Sequence, residues 1–197
     1  MKHFTTALAL LLMIVTVQAQ QHPENRSKTD KNKHMKTASY STTISVAQSP
    51  EEVYNAINNV RGWWSEEIEG PTDALNKEWF YHYKDIHLCK IKVVEMVPHK
   101  RVVWEVMENS FNFIEDDSEW VGNHLIFEIS KEADGTKLSF TQDGLTPMDA
   151  CYNVCRDGWD NYITNSLRKL ITTGKGEPNP KEGEGFNAEL ASRWKID

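Results

Sequence analysis

The segment Asp149–Thr173 (DACYNVCRDGWDNYITNSLRKLITT) limits what this chain can fold into more than any other. Cys151, Cys155, Trp159, Tyr162, Ile163, Leu167, Leu170 and Ile171 recur at spacings of three and four, so they form one stripe of a helix about 37 Å long. Gly174 sits where a C-terminal cap belongs, and Arg168 and Lys169 lie near the negative end of the helix dipole. A stripe of that length needs an apolar partner of similar extent. Only the alternating, aromatic-rich strands before it supply one. A curved antiparallel sheet wrapped on one long helix often leaves a hollow between them, and a binding function belongs there.

The chain's two ends are expected to lie outside that unit. Met1-Lys2-His3, the apolar run Ala7–Val17 and the small-residue sequence Val17-Gln18-Ala19 read as a signal peptide cleaved before Gln20. The run is short for a bilayer span, and the first cysteine, Cys89, is too distant to carry a lipid, so no stable membrane anchor is expected. Export to the periplasm or beyond follows, with Met35 as an alternative start for a cytoplasmic form. Residues 20–38 are polar and aperiodic and read as a disordered tether. With one lysine in residues 1–19, and five basic against two acidic residues in 20–38, residues 39–197 carry −11 of a chain total of −7. So acidic a body repels nucleic acid and anionic membranes. The stretch 175–197 opens KGEPNPKEGEG and reads as a flexible tail, with a short helix allowed at Ala188–Lys195.

Between these ends the expected order is strand, two short helices, a meander of strands and the long helix, giving an α+β domain over 39–174. Ser39–Ala47 alternates as a first strand. Ser49-Pro50-Glu51-Glu52 starts a helix with a cap, a proline at the first position and acids in the first turn. Val60–Ser65 (VRGWWS) reads as a helical turn, and Glu66–Asn76 as a loop that allows one short strand. The remaining strands are Lys77–Lys84, Ile86–Val97, Lys100–Asn109, Glu119–Lys131 and Thr136–Asp143. Cys89, Ile91 and Val93 alternate with Lys90 and Lys92, which fixes the inner face of that strand. By the same parity Trp79, Tyr81 and Tyr83, then Trp104, then Leu125, Phe127 and Ile129, and then Leu138 and Phe140 point inward.

Catalytic signatures are absent from the sequence: there is no phosphate-binding glycine loop, nucleophile elbow, His-Glu-x-x-His or Cys-x-x-Cys. His82, Asp85 and His87 straddle a turn and make a poor metal set. Glu115, Asp116, Asp117 and Glu119 read as a solvated hairpin tip rather than a calcium loop. Glu66, Glu67 and Glu69 flank the Trp63-Trp64 turn and suit the rim of a pocket mouth. Cys151 and Cys155, one turn apart, are expected to be buried thiols. The inward phenols and indoles admit two readings, a filled core or a cavity orienting an amphipathic ligand.

The stretches YSTTISVAQSPEEVYNAINNVRGWWSEEIEG, YHYKDIHLCKIKVVEMVPHKRVVWEV and GTKLSFTQDGL, with WDNYITNSLRKLITTGKGEP, resemble the START-like helix-grip (SRPBCC) superfamily over about Ser39–Pro178. The branch they resemble contains bacterial proteins similar to the C-terminal domain of the activator of the ninety-kilodalton heat-shock-protein ATPase. The resemblance implies a seven-stranded antiparallel sheet gripping the C-terminal helix around an apolar cavity, with binding of hydrophobic small molecules and no cofactor. Trp63 and Trp64 are expected at the mouth, Trp79, Tyr81, Tyr83, Trp104, Phe127 and Phe140 on the sheet lining, and Trp159 and Tyr162 on the helix. Two alternatives compete with a carrier. One is a cavity enzyme, a cyclase or hydrolase, using Glu67, Asp85, His87 or His124. The other is a chaperone-linked interaction module docking through the sheet or an exposed Trp63-Trp64 turn, its protein partner unspecified.

Overall fold

The computed structural model describes residues 38–181 and 183–196; the expected signal peptide, and the expected tether apart from Ala38, lie outside them. Six strands form one antiparallel sheet: β1 (Tyr40–Val46), β2 (Glu78–Tyr83), β3 (His87–Val97), β4 (Arg101–Phe111), β5 (His124–Glu132) and β6 (Gly135–Asp143). Their order across the sheet is β1-β6-β5-β4-β3-β2. The seventh strand implied by the resemblance is reduced to a single bridge between Glu69 and Phe80 on the edge of β2. Gly70, at φ 95° and tight against the backbone of Glu78 and Trp79, turns the chain away before a ladder can extend.

Helix α1 (Pro50–Asn58) begins as its sequence dictates. The Ser49 hydroxyl accepts from the Glu52 amide at 3.2 Å, and the Glu52 carboxylate accepts from the Ser49 amide at 2.7 Å. This reciprocal cap satisfies two otherwise orphaned donors and contributes about 1 kcal/mol. A short 3-10 turn, Val60–Gly62, then delivers Trp63 and Trp64 into the interior.

The long helix is continuous from Tyr152 to Thr173 but not uniformly α-helical. It comprises α2 (Tyr152–Asn161), a π-helical stretch (Tyr162–Leu167) and α3 (Arg168–Thr173), and Gly174 closes it at φ 77° as expected. It starts later than Asp149 because a turn precedes it: the Glu119 carboxylate accepts from the amides of Ala150 (2.7 Å) and Cys151 (2.9 Å). The wider π turn buries Tyr162, Ile163, Ser166 and Leu167 together. Within it the Ser166 hydroxyl donates to the Trp63 carbonyl at 2.6 Å and accepts from the Glu177 amide at 2.8 Å.

Parity holds across the inner face except where two bulges interrupt the β3–β4 ladder, between Lys90/Ile91 and between Val93/Glu95. Tyr81 and Tyr83 on β2, Ile91 and Val93 on β3, and Leu138 and Phe140 on β6 are buried, whereas Phe80 on the opposite face of β2 is 48% exposed. Only Arg101–Glu105 of β4 pairs with β5, so the distal part of the β3–β4 hairpin outruns its neighbour. That overhang positions the site described below.

The stretch read as a flexible tail is instead packed on the fold. Asn179 forms a parallel bridge to Ser65, donating from its amide to the Trp64 carbonyl and accepting from the Glu66 amide, both at 2.9 Å. A Cβ added at Gly176 would lie 2.2 Å from the Gly62 carbonyl oxygen, so the crossing requires glycine. Helix α4 (Phe186–Trp194) then lies against α2 with Asn187 and Leu190 buried. Composition misled here: Gly, Pro and Glu dominate the connector, and the ordering groups are two asparagine side chains that carry no periodic signal.

Candidate ligand-binding cavity

The ten aromatic residues singled out from sequence are all buried, but they divide into two groups. Trp63, Trp79, Trp104, Phe127 and Phe140 form a filled core between sheet and helix. The Trp79 and Trp104 rings meet edge to face, with centroids 5.3 Å apart and planes at 88°; Trp104 lies 4.7 Å from Phe127, and Phe127 4.9 Å from Phe140. Such perpendicular and tilted contacts suit the ring quadrupoles. Trp63, expected at a mouth, is fully buried against Trp104 and Phe127, and its indole N–H donates to the Ile57 carbonyl at 3.2 Å. The Trp63-Trp64 turn therefore offers no exposed indole for docking.

Trp64, Tyr81, Tyr83, Trp159 and Tyr162 are brought together elsewhere, around a cavity of about 70 Å³ beneath the overhanging end of the β3–β4 hairpin. The space is neither solid nor large. His87 and Phe111, paired across the hairpin, form one wall with Phe113 and Trp120. Cys155 and Gly158 on α2 form another, and α4 closes the third with Asn187, Leu190 and Ala191. Most of these residues escaped the sequence reading. His87 shares the parity of Cys89 and was legible as inward-facing. Phe111 was not, because the bulge at Met107 shifts the face beyond Val106. Trp120 lies in a turn before β5, which starts at His124 and not at Glu119 as the alternation of apolar residues suggests.

A hydrogen-bonded cluster of polar tips crosses the cavity. The Tyr162 hydroxyl donates to Asn187 Oδ1, and Asn187 Nδ2 donates to the Tyr81 hydroxyl at 2.9 Å. Asn179 Nδ2 donates to the Tyr162 hydroxyl and to the Trp64 carbonyl, each at 3.0 Å, and Asn179 Oδ1 accepts from the Asn187 amide at 2.7 Å. The buried Trp64 indole N–H lies near the Tyr81 hydroxyl without reaching hydrogen-bond geometry. The buried indole N–H groups of Trp79 and Trp104 in the core are unpaired as well, so an open donor does not by itself mark a site.

The cavity is electrically neutral. Burial pushes the Tyr81 and Tyr162 hydroxyls and the Cys155 thiol well above their ordinary ranges, so all stay protonated. Burial also lowers His87 to about 4, although the residue as a whole is only partly buried. Its Nε2 donates to Asn109 Oδ1 at 2.9 Å, an orientation supported by Asn109 Nδ2 donating to the Asp117 carbonyl at 2.8 Å. No Asp, Glu, Lys or Arg lines the cavity.

Of the acid and base candidates for an enzyme, only His87 faces this space. Glu67 is paired with His82 at 3.2 Å on the outer side of β2, and Glu69 belongs to the edge bridge. Neither the His82, Asp85 and His87 set nor the acidic cluster forms a metal-binding group among the described residues. Asp117 and Asp116 instead hold turns, through Ser110 and Ser118. Cys151 and Cys155 are free buried thiols, the former accepting from the Trp120 indole at 3.3 Å.

Comparison with known proteins places this architecture. The Aha1 dimer from Colwellia psychrerythraea has a similar fold, with a TM-score of 0.57 and 22% identity, over 71% of this chain and 99% of that one. DynU16, a protein of the dynemicin biosynthetic locus, gives 0.52 and 16% over 69% of this chain and 48% of that one. Protein MLL2253 from Mesorhizobium loti gives 0.53 and 14% over 68% and 96%. At such identities the likeness establishes the helix-grip fold. No curated protein matches the chain. The family model for Activator of Hsp90 ATPase homolog 1-like protein matches residues 47–172, leaving the packed segment 175–196 beyond it. Covering well over half the sequence, that match makes this chain a member of the Activator of Hsp90 ATPase homolog 1-like family, with the helix-grip fold of the SRPBCC superfamily.

Proposed function

We propose that this protein binds and carries a neutral, flat hydrophobic small molecule at the aromatic cavity between the β3–β4 hairpin and α2. The observation that carries this reading is the cavity's chemistry: ring walls, hydroxyl and amide tips around a residual void, and no formal charge. Apolar surface supplies affinity in such a site, and a few polar groups fix orientation. A charged ligand would lose its hydration without gaining a counter-ion there. The closed form, at about 70 Å³, is well below the roughly 300–1,000 Å³ of pockets that hold drug-sized ligands, so binding requires one wall to move. The leader-like residues 1–19 support a location outside the cytoplasm, which we propose as the compartment of this carriage.

The test is titration of the full chain with the uncharged fluorescent probe N-phenyl-1-naphthylamine. Saturable enhancement with quenching of tryptophan emission is expected, together with its loss in Val154→Phe, which fills the cavity from α2 while leaving near-ultraviolet circular dichroism intact. Absence of saturation, or equal binding by Val154→Phe, would overturn the reading.

A further inference from the structure

We propose that α4 is a displaceable lid whose Asn187 carboxamide occupies the position of the ligand's polar group, so that the ligand carries a neutral carboxamide or lactam edge on a flat apolar body. This rests on the binding reading above.

The argument starts from what Asn187 does. Its side chain presents one acceptor and one donor on the same edge, and the cavity meets both, Tyr162 donating to the oxygen and the Tyr81 hydroxyl accepting from the nitrogen. Two phenols held side by side in an apolar wall complement a carboxamide. They leave a hydrocarbon unrewarded and an ion uncompensated. Because α4 supplies the complementary group itself, the site is satisfied without ligand, and removing α4 would leave both phenols beside the already unpaired Trp64 N–H.

The hold on α4 is weak in the way a lid requires. It has nine residues, too few to be stable alone; its own N-cap, Gly185, has no side chain, and the first-turn amide of Asn187 is met by Asn179 from the connector. Asn187 and Leu190 are its only buried residues. On its outer side Trp194 donates to Asp157 at 3.2 Å and Arg193 lies 3.7 Å from the same carboxylate, contacts of small worth near solvent. The connector before it carries Gly183 and Gly185, both at positive φ. Asn187, Leu190 and Ala191 supply one side of the cavity, so their departure enlarges it. A competent state populated to a small fraction lowers apparent affinity by that fraction, and loosening α4 restores it.

The experiment compares 1-naphthamide with methyl 1-naphthoate, which keeps the ring and the acceptor but lacks the donor, on the full chain and two full-length variants. Trp194→Ala removes one tie of α4 to Asp157 without altering the cavity lining, and should tighten both probes about equally, by roughly twofold or more. Asn187→Ala also frees the phenols, and should tighten 1-naphthamide at least tenfold, with a clear preference over the ester. In the unsubstituted chain, saturating 1-naphthamide should speed hydrogen exchange of the α4 amides while α2 and α3 stay protected, a result that decides the matter even if Asn187→Ala fails to fold. Unchanged α4 protection in the bound state, or no amide preference in Asn187→Ala, overturns the lid while leaving cavity binding in place. If neither probe binds any of the three chains, and N-phenyl-1-naphthylamine does not bind either, both readings fall.

Discussion

The two ends of the inner face are built from the same residue types and behave differently. At the β5–β6 end, Trp63, Trp104, Phe127 and Phe140 meet one another ring on ring. At the β2–β3 end, Trp64, Tyr81, Trp159 and Tyr162 are as deeply buried, yet their polar tips meet asparagines from a segment beyond the family core and a void persists. An aromatic residue is therefore not a binding residue by type. What decides is whether the chain opposite supplies a matching ring or a polar group that a ligand can replace.

The largest effect that separates the two ends is expected from Trp104→Ala. Emptying that site should cost about 4 kcal/mol in urea unfolding while leaving probe affinity of the folded fraction unchanged. If affinity falls with stability, the ends are one site. Gly176→Ala comes next. Its Cβ has no room against the Gly62 carbonyl, so a loss of roughly 2–3 kcal/mol is expected, with earlier proteolysis of residues 175–196 than of the sheet.

His87 sharpens the contrast through pH. The fold holds this imidazole neutral down to about 4, whereas the unfolded chain regains a proton below the ordinary value of 6.5. The unfolded state thus binds more protons between those values, so stability is full above pH 6.5 and falls as pH drops toward 4. Allowing for the residue's partial exposure, the loss is roughly 1–2 kcal/mol. The difference in stability between the unsubstituted chain and His87→Gln, followed across that window, should carry this slope; a flat difference would mean the ring is solvated. The smallest effect is Phe80→Ser on the outer face of β2, expected to stay within about 0.5 kcal/mol and to leave binding untouched.

Much of the architecture was legible in the sequence. Ser49, Pro50 and Glu52 announce α1 through local hydrogen-bonding chemistry, and the Lys90/Lys92 alternation fixes the inner face of β3 because a strand has a period of two. Gly174 ends the long helix where its lack of a side chain permits φ 77°. The site was half legible. Tyr81, Tyr83, Trp159 and Tyr162 follow from parity and helical spacing, and Trp64 from its place in the turn after α1, but parity alone cannot tell the tyrosines from Trp79 and Trp104, since both sets point inward. The bulge that turns Phe111 inward adds one residue without any compositional mark. Asn179 and Asn187 were hidden for a different reason: a polar residue in a Gly- and Pro-rich connector looks solvated until the phenols it meets are known.

The most direct test of cavity binding follows the indole N–H resonances of the seven tryptophans during titration with 1-naphthamide. Trp64, Trp120 and Trp159 line the cavity, and their signals should move together and saturate, while those of Trp79 and Trp104 stay in place. If all seven remain fixed, or if Trp79 and Trp104 move as far as Trp64, the space beneath the hairpin is not where this protein meets a ligand.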